Sequence, residues 1–167
     1  ANGFGNLASR TVAMVGKYFD GAVPAPGAYT EADLEIQRVV ADAASAADAA
    51  MERFRIDEAI DRIWTIVDEL NGYITINEPW ALAKDEAKRE RLQTVLYTVA
   101  EGLRALTVLL SPVMPEATAK LWLALGVGET LGSLEDQPIR EAGQWGALRP
   151  GTSVNGLAPL FPRVEQA

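Results

Sequence analysis

The sequence predicts an all-α protein: an antiparallel bundle of about five helices followed by an irregular C-terminal tail. Apolar residues recur at spacings of three and four over five segments, which is typical of helices with one buried face. No segment resembles a strand over a useful length, and glycine and proline collect between the segments and after residue 125. We therefore expect a bundle over residues 1–125 and a tail over residues 126–167 that packs on it.

The first segment predicts a helix that begins at residue 1 and ends near Asp20-Gly21. Its polar stripe holds Asn6, Arg10 and Lys17, which is the ordinary pattern of a surface helix. Because no capping signal precedes a helix that already carries a core face, we expect the chain to be part of a longer protein. The apolar face consists of Phe4, Leu7, Thr11, Met14, Val15 and Tyr18.

The second and third helices are expected at about 30–50 and 55–75. Thr30 followed by Asp33 is typical of a helix N-terminus, because an acidic side chain there satisfies backbone N–H groups that lack a helical partner. The apolar face of the third helix consists of Ile56, Ala59, Ile60, Ile63, Trp64, Val67 and Leu70. Its acidic residues, which we expect to form a solvated face, are Asp57, Glu58 and Asp61.

Residues 77–84 connect the third helix to the fourth, and Pro79 among them suits the first turn of a short helix. The fourth helix, at about 86–110, has the clearest apolar periodicity of the chain. A fifth helix follows at 115–125, and Gly126 is expected to end it.

The composition excludes several classes of site. Without cysteine or histidine, the chain can form no disulfide, no thiolate or imidazole metal site and no Ser-His-Asp triad. Glu101 and Arg104 interrupt the most apolar run, and no stretch resembles a signal peptide, so we expect a cytoplasmic protein without a membrane span. We expect no catalytic residue, no metal and no cofactor in this chain.

The charge is acidic overall but unevenly distributed. A net charge of −8 argues against a general nucleic-acid binder, since such proteins use excess Lys and Arg to neutralise phosphates. Residues 31–70 hold 11 acidic and 4 basic residues, whereas the first helix and residues 80–91 are richer in cations. A local basic face is therefore compatible with the acidic whole.

The four tryptophans fall into three groups. Trp64 and Trp122 lie on apolar helix faces and are expected in the core. For Trp145, in the tail, an anchoring and an exposed position both stay open. Trp80 follows a proline at a helix start, where it is either a lid on the core or an exposed platform on which a nucleic-acid base stacks.

Five segments, taken in chain order, carry a family resemblance. They are residues 6–10 (NLASR), 17–21 (KYFDG), 78–84 (EPWALAK), 110–115 (LSPVMP) and 160–163 (LFPR). Together they resemble the C-terminal anticodon-binding domain of methionyl-tRNA synthetases, which are class I aminoacyl-tRNA synthetases. Ser9 departs from this pattern, because many members have asparagine at that position.

The resemblance implies a helical bundle that reads the anticodon CAU. By similarity, Trp80 stacks on an anticodon base, and Asn6 and Arg10 hydrogen-bond the edge of the first anticodon base, cytosine. Residues 31–70 are then expected to face away from the RNA. Supporting contacts are expected from Lys17, Asn77, Pro79, Lys84 and Lys88.

The resemblance also implies a catalytic domain outside this sequence. That domain would bind methionine, ATP and magnesium, and in many members zinc, so the chain alone is expected not to charge tRNA. The implied partners are methionine tRNA, through its anticodon loop, and the catalytic domain of the same protein.

Three alternatives stay open at this point. The chain could instead be the anticodon domain of a leucine, isoleucine, valine or cysteine synthetase. It could also be a helical protein-interaction module without an RNA ligand, in which case Trp80 would belong to the core. Finally, it could be a structural bundle that mainly docks the catalytic domain.

Overall fold

The computed structural model describes residues 2–163, except for the side chain of Asn2, and confirms the all-α class. The chain forms a 3-10 turn at Glu86–Lys88, so the fourth long helix begins at Arg89, three residues later than expected. The helices are α1 (Asn2–Phe19), α2 (Glu31–Glu52), α3 (Ile56–Asn77), α4 (Pro79–Leu82), α5 (Arg89–Leu110), α6 (Pro115–Leu125) and α7 (Gly128–Leu131).

The central element of the bundle is α5. Nearly every residue from Leu92 to Leu110 is buried, because α1, α2, α3 and α6 all pack against this helix. Gly102 is needed at the contact with α3, where a Cβ atom would lie 2.8 Å from the Leu70 side chain. Thr98 and Thr107, which are also buried, donate hydrogen bonds to carbonyl groups one turn earlier.

The hairpin of α2 and α3 forms one side of the bundle. Trp64 packs partly buried on the core, as expected, and Trp122 of α6 is buried. Ile56 was expected on the buried face of α3, but it is 55 % exposed. The reason is its position at the first residue of α3, next to the exposed Phe54 in the turn between α2 and α3.

The start of α2 confirms the predicted N-terminal signal. An Asp33 carboxylate oxygen accepts a hydrogen bond from the backbone N–H of Thr30 at 2.8 Å. The same carboxylate is completely buried, where it pairs with Arg91 of α5. The acidic residues of α3 lie toward solvent, with Asp57 and Asp61 exposed.

The tail follows α6 as short turns and irregular chain. Trp145 of this segment packs partly buried on the core, and its indole N–H points to the Tyr29 hydroxyl at 3.4 Å. This answers the question that the sequence left open for Trp145. The division of the chain at residue 125 stays a prediction. Among residues 2–163, no helix is long and apolar enough to cross a membrane.

Candidate nucleic-acid interface

Helix α1 presents Asn6 and Arg10 one turn apart. Phe4 and Leu7 are fully buried on the adjoining core face, and this burial fixes the rotation of the helix. Asn6 is therefore exposed and Arg10 is half-buried. The two polar side chains are the first and second members of the polar stripe that the sequence predicts.

Trp80 is presented by a sharp change of chain direction after α3. Glu78 adopts the left-handed conformation (φ 46°, ψ 62°), and the buried Pro79 begins α4. The backbone N–H groups of Ala81 and Leu82 both donate to the Glu78 carbonyl. This short helix leaves the Trp80 side chain 40 % exposed, so it is neither a buried lid nor fully solvated.

The Arg10 guanidinium lies over the Trp80 indole, with its carbon 5.9 Å from the ring centroid. That distance is within the range of a cation–π interaction. The residues are 70 positions apart in the sequence and belong to α1 and α4, and the fold brings them together. Next to them, Asn6 and Ser9 of α1 line a small depression of about 50 Å³ with Phe161 of the tail.

The five predicted supporting residues fall into two groups. Lys17, Lys84 and Lys88 are exposed, and the Lys17 ammonium lies 5.5 Å from the centroid of the Tyr18 ring. Asn77 and Pro79 instead contact protein: Pro79 is buried, and the Asn77 amide bonds to Arg91 and to the Tyr73 carbonyl.

Arg89 also belongs to this region, although the sequence did not predict it. Its guanidinium lies 4.6 Å from the centroid of the Phe19 ring and bonds to the Tyr18 carbonyl at 3.4 Å. Its position directly after the predicted Lys88 could have suggested it. Its contact with Tyr18, 71 residues away, could not be predicted from the sequence.

The cations of this face have no carboxylate partner within residues 2–163. The ion pairs in that part of the chain involve five other arginines, namely Arg38, Arg53, Arg55, Arg91 and Arg104. The cations without such a partner on α1 and in the α4–α5 region are Arg10, Lys17, Lys84, Lys88 and Arg89. These five cations are thus free of ion pairs within the described residues, although the same segments also carry acidic side chains, namely Asp20, Glu78, Asp85, Glu86 and Glu90.

Larger depressions lie elsewhere. Two of about 720 and 670 Å³ surround Trp122 and Leu123, between α6 and the tail. The described residues contain no cluster of His, Cys, Asp and Glu that could hold a metal ion. An RNA loop needs an exposed face with a stacking ring rather than a deep cavity, so we regard the Arg10–Trp80 face as the candidate site.

The chain as a whole is similar to one part of several known proteins. The chain is 46 % identical over 169 residues to the methionine–tRNA ligase of Streptomyces coelicolor and 41 % identical over 165 residues to that of Caldanaerobacter subterraneus. Each match covers 99 % of this chain but only 31 % and 25 % of those proteins. The chain therefore spans about a quarter to a third of these relatives.

Solved structures show the same relationship. The crystal structure of the apo form of Mycobacterium tuberculosis methionyl-tRNA synthetase superposes with a TM-score of 0.88 at 31 % identity, covering 100 % of this chain and 33 % of that one. A sequence model described as the anticodon-binding domain of tRNA ligase matches residues 33–152, which is most of the chain. The chain belongs to this family of anticodon-binding domains of tRNA ligases.

Proposed function

We propose that the chain reads the CAU anticodon of methionine tRNA as the tRNA-reading part of a methionine–tRNA ligase. The observation that carries this proposal is the Arg10 guanidinium lying beside the half-exposed Trp80 ring, on a face whose cations lack carboxylate partners. The relatives that cover nearly the whole chain are named methionine–tRNA ligases. They do not favour the leucine, isoleucine, valine or cysteine alternative, nor a protein-interaction module.

Recognition would combine stacking with hydrogen bonds to a base edge. The exposed part of the Trp80 indole would stack on an unpaired anticodon base. Cytosine offers ring nitrogen and carbonyl acceptors together with an amino donor. Arg10 would donate to those acceptors, and the Asn6 amide, which can donate and accept, would complete the edge.

The remaining predicted residues would support this contact in two ways. Lys17, Lys84 and Lys88 would neutralise loop phosphates, since they are exposed and lack carboxylate partners within residues 2–163. Asn77 and Pro79, which contact protein, would act by shaping the turn that carries Trp80.

The chemical step would belong to the rest of the protein. We propose that the whole protein ligates methionine to its tRNA with ATP and magnesium, and that any zinc site lies in a catalytic domain that joins this chain. The cytoplasmic location stays a prediction.

Tryptophan fluorescence tests the proposed function directly. A stem-loop with the anticodon CAU should quench the fluorescence of the chain with saturable binding, because a stacked base lies against Trp80. A stem-loop with one changed anticodon base, UAU, should bind much more weakly. Equal quenching by both RNAs would contradict anticodon reading, and quenching that persists in Trp80→Phe would place the bound RNA elsewhere.

A further inference from the structure

A buried carboxylate connects three helices close to the candidate site. Asp33 of α2 is fully buried, and its Oδ2 accepts hydrogen bonds from the Thr30 N–H at 2.8 Å and from Arg91 Nη1 at 2.6 Å. Its Oδ1 accepts from the Tyr73 hydroxyl of α3 and from Arg91 Nη2 at 3.0 Å. Four donors on one carboxylate hold the guanidinium of Arg91 in a single orientation.

The Arg91 guanidinium that pairs with Asp33 also bonds to the C-terminal end of α3. Its Nη2 also donates to the Asn77 Oδ1 at 2.8 Å. The Asn77 Nδ2 donates in turn to the Tyr73 carbonyl, one turn back in α3, at 2.9 Å. Asn77 is the last residue of α3, so its side chain is clamped between α5 and its own helix.

The clamp lies three residues before the stacking ring. Glu78 has a left-handed backbone conformation, and the ring of Pro79 restricts the next φ angle. Helix α4 has only four residues, too few to be stable without tertiary support. The direction of the short helix, and with it the place of Trp80, depends on where α3 ends and on how Asn77 is held.

We propose that Arg91 and Asn77 are positioning residues for Trp80, oriented by the buried Asp33. The link from Asp33 through Arg91 to Asn77 fixes the C-terminus of α3, so that the Trp80 ring lies beside Arg10 before RNA binds. Preorganisation of this kind lowers the ordering cost of binding. The inference rests on the proposed role of Trp80 and gives Asn77 an indirect part in it.

The first test needs no RNA. In the 167-residue chain labelled with 5-fluorotryptophan, ¹⁹F NMR resolves four indole signals, and Trp80→Phe identifies that of Trp80. Asn77→Ala should move or broaden the Trp80 signal while the signals of Trp64, Trp122 and Trp145 stay in place. Thr75→Val is the matched control, because the exposed Thr75 hydroxyl donates to a carbonyl one turn back in α3, that of Asn71, and does not bond to Arg91.

The second test measures affinity for the CAU stem-loop. Asn77→Ala and Arg91→Lys should each weaken binding by about fivefold to tenfold, the equivalent of one lost hydrogen bond. Lysine at 91 can still pair with Asp33 but lacks the fork that reaches Asn77. The double variant should be no weaker than the worse single variant, because both changes cut the same link.

Thr94→Val distinguishes a general loss of stability from a change in the position of Trp80. Thr94 is buried and accepts the Gly27 N–H at 2.9 Å, so this change destabilises the fold without touching the end of α3. Its Trp80 signal and RNA affinity should match those of the unmodified chain. The inference is overturned if Asn77→Ala leaves the Trp80 signal in place. It is also overturned if Asn77→Ala binds the stem-loop as tightly as the unmodified chain although Trp80→Ala binds it more weakly. If Trp80→Ala itself has no effect on binding, the proposed function fails instead.

Discussion

Arg10 and Arg104 each lie close to a tryptophan, but their guanidinium groups have opposite surroundings. Arg104 is buried, forms a bidentate pair with Glu101 and donates to the carbonyl groups of Ala142 and Gln144, next to Trp145. Arg10 is half-exposed, and its described neighbour is the face of the Trp80 ring. An arginine is thus part of a structural anchor between α5 and the tail in one region, and part of a candidate binding surface between α1 and α4 in the other.

The polar groups around Arg104 are hydrogen-bonded within the protein, whereas the Arg10 guanidinium lacks such partners within residues 2–163. The Glu101 carboxylate also accepts hydrogen bonds from three consecutive backbone N–H groups, those of Gly146, Ala147 and Leu148. All of these groups are satisfied inside the protein, which a buried ion pair requires. On the Arg10 side, within residues 2–163, the guanidinium has no carboxylate to satisfy it. The hydrogen-bonding capacity that remains there can serve a ligand.

The same contrast separates whole regions. In the α2–α3 hairpin, Arg38 pairs with two glutamates, while Arg53 and Arg55 each pair with one acidic residue. These surface pairs contribute little to stability. They do, however, pair three of the four hairpin arginines, Arg62 being the fourth, whereas Arg10, Lys17, Lys84, Lys88 and Arg89 form no ion pair within residues 2–163.

The largest effect is expected at the anchor. Glu101→Ala should lower the free energy of unfolding by about 3–5 kcal/mol, because it leaves the buried Arg104 charge without a carboxylate and takes the acceptor from three backbone N–H groups of the tail. Urea unfolding measures this change. The affinity for the CAU stem-loop, measured at a temperature where the variant is folded, should not change.

Replacing the whole pair provides the control for that prediction. Glu101→Leu combined with Arg104→Met should be more stable than Glu101→Ala, since it removes the uncompensated charge. A Glu101→Ala chain as stable as the unmodified one would show that the tail does not depend on this anchor.

The second prediction is that Trp80 and Trp145 differ in opposite ways: one change affects binding, and the other affects stability. Trp80→Ala should weaken stem-loop binding by about 1–3 kcal/mol and change stability by less than about 1 kcal/mol. Trp145→Ala should do the opposite, lowering stability by about 2 kcal/mol and leaving binding unchanged, because Trp145 packs on the core. Fluorescence titration and thermal unfolding of both variants test the pair. Equal effects of the two changes on stability would make Trp80 a core residue.

The helices could be predicted because their signal is local. The apolar spacing of α5 and the proline that begins α4 both lie within a few residues of what they determine. Asp33 has both a feature that local sequence predicts and one that it does not. Its place at the start of α2 is readable from Thr30, but its burial against Arg91, 58 residues away, depends on how two helices pack.

The candidate site was predictable for a different reason. Periodicity alone left Trp80 undecided between core and surface, and the pairing with α1 came from the family resemblance. The structure brings Arg10 beside Trp80, while the roles of Asn6, Arg10 and Trp80 in binding stay predictions. Arg89 was missed because its contact with Phe19 is long-range and leaves no spacing pattern in the sequence.

A third, smaller effect concerns pH and the buried carboxylate of Asp33. Burial acts to raise its pKa, but hydrogen bonds from Arg91, Tyr73 and Thr30 outweigh this and hold the pKa below its usual value. The unfolded chain therefore takes up this proton first, so the stabilisation is complete above a pH of about 4 and is lost as the pH falls through the lower folded-state pKa.

Urea unfolding between pH 7 and pH 3 should show the loss. Asp33→Asn should be less stable at pH 7 and depend less on pH below 4, whereas identical slopes would assign the acid sensitivity to other carboxylates.

The smallest effect is expected from single surface cations, and it compares the two regions most directly. Lys88→Gln should remove one phosphate contact and reduce the slope of log affinity against log salt by about 0.7, the value for a single strand. Arg38→Gln removes one positive charge from the same acidic chain, but that charge is already paired with Glu31 and Glu35. Stem-loop titrations at several salt concentrations should therefore give Arg38→Gln the slope of the unmodified chain. Equal slope changes in both variants would mean that the RNA senses only the net charge, and that the cations without ion pairs on α1 and in the α4–α5 region have no special part in binding.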